Sequence, residues 1–579
     1  MSRPSRTALV SMPFAAPHYP NFQVGLLKAC LKEEGITCDA FELNLRLYKR
    51  LGHEIYGILA RNRYVGDAIF SRAPYELSID AITEHCTRIS SLSAKQVKLV
   101  CAEADAFLED VLSSIAWEQY SVVGFTLTHM QTCAALSLAM LLKRLDPRIH
   151  IVFGGASAYK ELGEHLIKAF DWIDSVVDGA GEDVLPQIIR QASEQSYDSS
   201  GTRRVYKSED PVNLNRLPVP DYDHYFEEQR RLSIVLPEIF LPVEGSRGCW
   251  WNKCGFCALN NGNSSYQQKA ASNIANEFYQ LSEKYSILRF HFADSIQPTR
   301  GWADLASALV AHRRDYSFMM EIYATVKRSD LEGLRKAGLN RIQLGVESFS
   351  DNALREMKKG VDTLRNIRVL RWCLELGIRV QYNLITNLPG ETAQDIDEAL
   401  ELIPSLQHLE PPSSVSPYLL NYGSPDFVRL EAGDGHLFKS TYLPAYLRQT
   451  PGLEAQLPAH RGPAWDKAMT HIEQWQKSWS PHAGLLSYRD GGRFLFIVDL
   501  RQQKRREYRL RDIYRDTLLA LESIRTRAEV YSLIGASRSR FDLILSELLK
   551  RGLIIERNER LLSLVPRSRS GAEQWSESH

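Results

Sequence analysis

The chain lacks a net charge and a long apolar run, and each absence excludes a class of protein. Lys plus Arg and Asp plus Glu both number 70 in 579 residues, so no overall field draws the chain toward nucleic acid or a membrane surface. No stretch of eighteen apolar residues occurs, and Pro13, Pro17 and Pro20 precede any apolar run long enough for a signal peptide. We therefore expect a cytoplasmic protein with no membrane partner.

Cysteine is also scarce, with nine residues in the whole chain. A cytosolic protein keeps its thiols reduced, so we do not expect a disulfide framework. Six cysteines are scattered through apolar surroundings and are interpreted as small core residues. These six are Cys30, Cys38, Cys86, Cys101, Cys133 and Cys373.

The other three cysteines lie together in the stretch GSRGCWWNKCGFCALN, as Cys249, Cys254 and Cys257. Their C-x4-C-x2-C spacing is one ligand short of a tetrahedral zinc site, and no further Cys or His follows nearby to complete it. Three unligated thiols on one loop would be prone to oxidation and have no packing reason to be adjacent. A 4Fe-4S cluster is the favoured interpretation, because three cysteine ligands leave one iron open for a substrate.

The chain divides into blocks by the order of its patterns. Short β-branched runs alternate with helical patterns over residues 1–190, which predicts a doubly wound parallel sheet, a Rossmann-like α/β domain. A helical insert is expected at about 43–118, because a simple crossover does not need so many residues. The polar, Ser-, Asp- and Pro-containing segment 191–235 is predicted to be a linker.

Two more domains are predicted after the linker. Strand and helix patterns alternate six times over 236–426, as in a partial (β/α)6 barrel whose site lies at the carboxyl ends of its strands. Residues 427–579 open with irregular, Pro-rich sequence and end in helix, turn, helix and apolar hairpin patterns. These patterns predict an α+β, winged-helix-like domain and a candidate substrate-docking module.

The order of the motifs resembles the cobalamin-dependent radical S-adenosylmethionine (SAM) enzymes. The resemblance is strongest to radical SAM maturases of ribosomally made, post-translationally modified peptides, the class B radical SAM C-methyltransferases. The motifs that carry it are VVGFTLTHMQT, VFGGASAYKELGEHL, VDGAGEDVLPQII, LPVPDYDHYF, EGSRGCWWNKCGFCALN, FHFADS, LGVESFS, NLPGET and LEPPSSVSPYLL.

This resemblance implies roles for residues of the barrel. The three clustered cysteines would hold the 4Fe-4S cluster, and its open iron would bind SAM. Glu347 would accept hydrogen bonds from the ribose hydroxyls, and Asp294, Ser295 and Tyr323 would lie near the methionine moiety. The resemblance also implies an electron donor such as flavodoxin or ferredoxin.

Small and hydroxyl residues at predicted strand ends of the first domain would leave room for a large flat ligand. With the resemblance, they imply a cobalamin site formed by Thr126, Thr128, Gly154, Gly155, Ser157, Gly179, Gly181 and Glu182. No Asp-x-His-x-x-Gly motif occurs, so a lower axial histidine on cobalt is not expected. Arg61 and Arg63 are candidates for the residue that faces the lower side of cobalt.

The resemblance implies a methyltransferase that C-methylates an unactivated carbon of a ribosomally made peptide. One alternative is polar methylation of a free amino acid or small molecule such as tryptophan. A second is a radical cyclase or epimerase that transfers no methyl group. A third is a nucleic-acid-binding protein, but the basic C-terminal face suits an acidic leader peptide equally well.

Overall fold

The computed structural model describes residues 6–128, 130–194, 203–208, 211–259, 265–421, 423–431, 463–480, 484–501 and 505–568. The side chain of Arg63 lies outside this description. Among the described residues, no helix combines the length and the apolar character needed to cross a bilayer.

The first domain is a six-stranded parallel sheet in the order β2-β1-β3-β4-β5-β6. The strands are β1 (Thr7–Ser11), β2 (Cys38–Glu42), β3 (Val122–Thr126), β4 (His150–Gly154), β5 (Ser175–Asp178) and β6 (Arg204–Lys207). The helices are α1 (Phe22–Glu33), α2 (Leu43–Arg61), α3 (Arg63–Phe70), α4 (Arg72–Tyr75), α5 (Ile79–Ile89), α6 (Ala94–Ser114), α7 (Thr132–Leu145), α8 (Glu161–Ala169) and α9 (Val184–Glu194). The sheet is parallel, as the sequence predicted, and its interior strands β1 and β3 are fully buried.

The predicted helical insert corresponds to α2–α6, which lie between β2 and β3. One hydrophobic core joins Leu43, Val65, Val97 and Phe107 of the insert to Val10 of the sheet. A second, smaller core on the opposite face packs α1 and α9 against the same strands. The insert therefore covers one face of the sheet, and α1 and α9 cover the other.

The segment 191–235, predicted as a linker, contains ordered elements. It holds the end of α9, the edge strand β6 and the helix α10 (Asp223–Arg231). β6 pairs in parallel with β5, although its exposed polar residues gave no apolar strand pattern. Tyr222 and Tyr225 are fully buried, so the end of this segment packs between the two domains rather than spanning a gap.

The second domain is a partial barrel whose strands face its site with their carboxyl ends. Its strands are β7 (Leu241–Val243), β8 (Ser246–Arg247), β9 (Gln267–Gln268), β10 (Arg289–Phe292), β11 (Ser317–Ile322), β12 (Leu339–Leu344), β13 (Arg379–Gln381), β14 (Asn383–Thr386) and β15 (Ser414–Pro417). Its helices are α11 (Ala271–Tyr285), α12 (Trp302–Ala311), α13 (Arg328–Lys336), α14 (Asp351–Glu356), α15 (Thr363–Leu376) and α16 (Ala393–Leu406). β7, β10, β11, β12 and β13 form a parallel sheet, and β14 pairs with β15 separately. The predicted fifth strand is thus divided into β13 and β14.

The C-terminal region contains two small antiparallel sheets. Its elements are α17 (Pro425–Glu431), α18 (Pro463–Ser478), β16 (Leu486–Asp490), β17 (Phe494–Asp499), β18 (Arg506–Arg511), α19 (Asp512–Ala520), β19 (Arg525–Thr526), α20 (Arg527–Ile534), α21 (Arg538–Lys550), β20 (Ile554–Arg557) and β21 (Arg560–Ser563). The predicted helix, turn, helix and hairpin correspond to α20, α21, β20 and β21. The sheet β16-β17-β18 before them was not predicted.

The C-terminal region is anchored to the barrel by buried contacts. Arg371 on α15 is fully buried and donates hydrogen bonds to the backbone oxygens of Ser563 and Glu522. The His408 ring lies 2.8 Å from the carbonyl oxygen of Leu564 through its Nε2. Apolar residues of both regions form one continuous core.

Candidate active site

The cysteine loop leaves the barrel after β7 and is fixed at its start by Asp294. The Asp294 carboxylate accepts hydrogen bonds from the Gly245 amide at 2.7 Å and from the Ser246 hydroxyl at 2.9 Å. Burial raises the pKa of Asp294 to about 8, and the hydrogen bonds from Gly245 and Ser246 oppose that rise. Asp294, which the resemblance placed near the methionine moiety, thus has both carboxylate oxygens engaged at the base of the loop.

Cys249, Cys254 and Cys257 are half-buried on this loop and influence one another electrostatically. Burial raises the pKa of Cys254 to about 12; the positive charge of Lys359 opposes that rise, and Cys257 and Cys249 add to it. Among the described residues, no three His, Cys, Asp or Glu side chains are placed so that they could hold a single metal ion. Three thiols on one loop suit a cubane cluster, in which each thiolate binds a different iron.

Two tryptophans hold the loop against the barrel. Trp250 Nε1 donates to the carbonyl oxygen of Gln297 at 3.0 Å, and Trp251 Nε1 donates to that of Lys358 at 2.9 Å. Gly360 has a φ of 72°, and a Cβ there would lie 2.0 Å from the Trp251 ring. Glycine is required at this position both by its backbone and by the close approach of the ring.

Glu347 lies three residues beyond the end of β12, and its backbone forms a parallel bridge with Leu384 of β14. Its backbone has a φ of 61°, its amide donates to Asn383 at 3.2 Å, and its carbonyl accepts from Ile385 at 2.9 Å. Its carboxylate accepts a hydrogen bond from the Lys359 ammonium at 2.9 Å. The left-handed backbone and the ion pair direct this carboxylate toward the cysteine side of the barrel.

Tyr323 and Ser295 have different surroundings: Tyr323 packs against the two tryptophans of the loop, and Ser295 lines a cavity. The Tyr323 ring packs edge-on against Trp250 with the ring centroids 5.5 Å apart. Its hydroxyl is buried and has no hydrogen-bond partner among the described residues. Burial raises its pKa, and the neighbouring Cys254 and Cys249 add to that rise. Ser295 lines a large cavity that begins at the start of the cysteine loop.

This cavity, of about 380 Å³, lies between the carboxyl edge of the first sheet and the cysteine loop. Six of the residues predicted to bind cobalamin line it: Thr126, Gly154, Gly155, Gly179, Gly181 and Glu182. The barrel contributes Ser246, Arg247, Gly248 and Ser295. Thr128 and Ser157 are not among the lining residues; the Thr128 hydroxyl donates to Gln131 at 2.7 Å, and the Ser157 amide donates to Leu127 at 3.2 Å.

Gly155 shows why the cavity wall is built from small residues. Its φ is 103°, and a Cβ at this position would lie 2.7 Å from the carbonyl oxygen of Leu127. A side chain here would both strain the backbone and displace the neighbouring loop. Arg61, one of the two candidates for the residue that faces the lower side of cobalt, is exposed at the end of α2 and does not line the cavity.

Arg247 connects the two walls of the cavity and was not singled out in the sequence. Its guanidinium donates to both carboxylate oxygens of Glu244, at 2.9 and 3.0 Å, and to Glu182 at 2.8 Å. Burial alone would lower its pKa, but the two carboxylates raise it above the usual value. Its position two residues before Cys249 was visible in the sequence, but its partner Glu182 in another domain was not.

Residues 243–403 match the sequence model described as the Radical SAM superfamily. These residues form a radical SAM domain. Such a domain uses a 4Fe-4S cluster and SAM, which agrees with the predicted cofactors of the barrel. Because the match spans this part of the chain alone, it says nothing of the flanking domains.

Comparison with solved structures shows a fold shared along most of the chain. The cobalamin-dependent SAM radical enzyme OxsB, with aqua-cobalamin bound, aligns with a TM-score of 0.50 and 14% identity over 94% of this chain and 71% of its own. The radical SAM methyltransferase TsrM from Kitasatospora setae, with cobalamin and a 4Fe-4S cluster bound, aligns with a TM-score of 0.55 and 15% identity over 82% of this chain and 91% of its own.

Sequence relatives are distant. An uncharacterized methyltransferase of Pyrococcus horikoshii, PH0819, is 22% identical over 317 residues, which are 52% of this chain and 68% of that protein. The chain spans about 60% of the length of other curated relatives that it matches. These likenesses support an enzyme of the radical SAM class, and the substrate follows from none of them.

Proposed function

We propose that this protein is a cobalamin-dependent radical SAM methyltransferase that C-methylates an unactivated carbon of a ribosomally made peptide. The observation that carries the proposal is the shared cavity. Its walls are the carboxyl edge of a doubly wound sheet and the start of the cysteine loop, so ligands of the two domains would meet in one space.

The residues of the first sheet fit a large flat cofactor. Gly154, Gly155, Gly179 and Gly181 leave its carboxyl edge without side chains, and Thr126 supplies a hydroxyl. Apolar residues of α1, including Leu26 and Leu27, close the side of the cavity. When bound, cobalamin would supply the methyl-carrying chemistry, and the cluster would supply the electron that cleaves SAM.

The residues of the chain itself would bind the cofactors, orient them and exclude water from the site. Cys249, Cys254 and Cys257 would hold the cluster, and Glu347 would accept hydrogen bonds from the ribose hydroxyls of SAM. The buried Tyr323 ring limits solvent access to the cysteine side of the site. These placements orient the reacting atom of a substrate between the barrel and the glycine edge.

A peptide substrate is supported by the free edge of the C-terminal sheet. Within the described residues β18 pairs with β17 alone, whereas the outer edge of β16 contacts Pro566 and Ser568. Residues 505–511, RREYRLR, contain four arginines and one glutamate. An extended acidic peptide could add to this edge as a further strand, with its carboxylates paired to the arginines.

The reaction products test the proposed chemistry. With a peptide substrate and SAM carrying a deuterated methyl group, we expect a peptide heavier by the labelled methyl group. We also expect 5'-deoxyadenosine and S-adenosylhomocysteine in near-equal amounts per methylation, measured by mass spectrometry. S-Adenosylhomocysteine alone would indicate polar methyl transfer, and 5'-deoxyadenosine alone would indicate a cyclase or epimerase. Either outcome would refute the proposed reaction.

The docking edge is tested by charge reversal. The triple variant Arg506→Glu, Arg509→Glu and Arg511→Glu is expected to weaken binding of a fluorescein-labelled acidic peptide with alternating glutamate and valine. Three reversed exposed contacts correspond to a rise in Kd of about tenfold. The measurement is fluorescence anisotropy at low salt.

The control is the triple variant Lys49→Glu, Lys95→Glu and Lys98→Glu. It changes the net charge of the chain by the same amount, but at exposed positions of the helical insert. Equal weakening in both variants would argue against β18.

A further inference from the structure

Lys359 is a buried lysine beside the cysteine loop. It follows the end of α14, and its amide donates to the carbonyl oxygen of Leu354 at 2.9 Å. The residue is 6% exposed, whereas its neighbour Lys358 is exposed to solvent. A buried lysine is costly unless its charge is compensated, so its neighbours indicate its role.

A carboxylate, two aromatic rings and a glycine surround the Lys359 ammonium. The ammonium lies 2.9 Å from Glu347, and the rings of Tyr323 and Phe256 lie beneath it at 5.5 and 5.6 Å. A Cβ at Gly345 would approach the ammonium to 2.7 Å, so the glycine there leaves the room that the lysine occupies. The aromatic faces add cation–π attraction to the ion pair.

The charged groups around Lys359 belong to residues that would bind two different ligands, SAM and the cluster. Glu347 is the carboxylate proposed to bind the ribose of SAM, and the ammonium also lies within the electrostatic reach of Cys254 and Cys257. A cluster with three thiolate ligands carries negative charge, and nearby charge contributes to the potential of an iron–sulfur cluster. Lys359 therefore lies between the nucleoside side and the redox side of one site.

We propose that Lys359 is a positioning residue that orients Glu347 toward the SAM ribose and raises the reduction potential of the cluster through its positive charge. The cation stabilises the reduced cluster, which gains one electron, more than the oxidised cluster. The ion pair holds the Glu347 carboxylate in one orientation before the nucleoside binds. This role needs only the radical SAM domain, so it is independent of cobalamin, of methyl transfer and of the peptide.

The test uses the anaerobically reconstituted full chain and the variants Lys359→Met, Lys359→Arg and Lys358→Met. Iron and sulfide analysis first establishes equal cluster content. We expect Lys359→Met to shift the cluster midpoint potential to a more negative value in spectroelectrochemical titration. We also expect its Kd for S-adenosylhomocysteine to rise about tenfold in calorimetry, as for a disturbed charged hydrogen bond.

The other variants separate this role from simple packing. Lys359→Arg keeps the charge and is expected to keep most of the potential, and Lys358→Met is expected to match the wild type in both measurements. Glu347→Gln removes the opposite charge, so we expect its potential to shift to a more positive value. This variant tests the proposal even if Lys359→Met fails to assemble a cluster. Unchanged potentials in both Lys359→Met and Glu347→Gln, or a negative shift in Glu347→Gln, would overturn it.

Discussion

Replacing Cys249, Cys254 and Cys257 together by alanine is expected to abolish the iron and sulfide content of the reconstituted protein and all SAM cleavage. The reason is that the remaining six cysteines are buried or isolated in other elements, and no other described group of side chains could replace the triad. The measurement is iron and sulfide analysis together with the visible absorbance of the cluster. The loss should be complete, since a cubane with no thiolate ligands has no anchor in the barrel.

Cys38→Ala is the matched control for the triple variant. Cys38 is also half-buried, but it lies on β2 in the first domain. This variant should retain the full iron content of the wild type. If the triple variant retained iron and sulfide while Cys38→Ala lost them, the assignment of the cluster to the loop would be contradicted.

Arg247→Met is expected to destabilise the contact between the first domain and the barrel by about 3–5 kcal/mol, because it leaves two buried carboxylates without their cation. The side chains of Arg247, Glu182 and Glu244 are 19%, 7% and 8% exposed, so water screens this loss only weakly. Differential scanning calorimetry should show a lower transition temperature for the unit that contains these two domains.

The charge explanation for Arg247 has its own control. Arg247→Met combined with Glu182→Gln and Glu244→Gln removes all three charges and should recover most of the lost stability. A triple variant as unstable as Arg247→Met alone would show that packing of the arginine stem, rather than its charge, is responsible. The pairing of the Arg247 charge with Glu182 and Glu244 would then no longer explain the stability of the contact.

The patterns of the sequence predicted most of the layers of the fold, and the failures have physical causes. β1, β3 and β10–β12 are apolar at alternate or successive positions because helices cover them, so they were visible as short apolar strand patterns. β6 is a short polar edge strand, which carries little apolar signal. The hairpin of β16 and β17 has a turn signal, Asp490-Gly491-Gly492, that was present in the sequence and was overlooked.

The residues of the candidate site also divide into those that the sequence could single out and those that it could not. The three cysteines lie within nine residues of one another, and Glu347 follows a recognisable strand pattern, so the sequence could single out both. Arg247 and Lys359 could not, because their roles depend on partners that the fold brings from other segments: Glu182 from the first domain for one, and Glu347 across the barrel end for the other. The role of a buried charged residue is recognised from the group that it pairs with, and only the tertiary structure shows which group that is.

The anchoring of the C-terminal region through Arg371 and His408 has a geometric consequence for a docked substrate. These contacts, and the apolar core that Leu510 of β18 shares with the barrel, pack the region against the barrel, so we expect β18 and the cavity to keep a fixed distance. In the proposed peptide substrate, the residue that reacts would then be determined by the number of residues that separate it from the docked segment. Lengthening that spacer in the peptide should move the methyl group along the chain by the same number of residues.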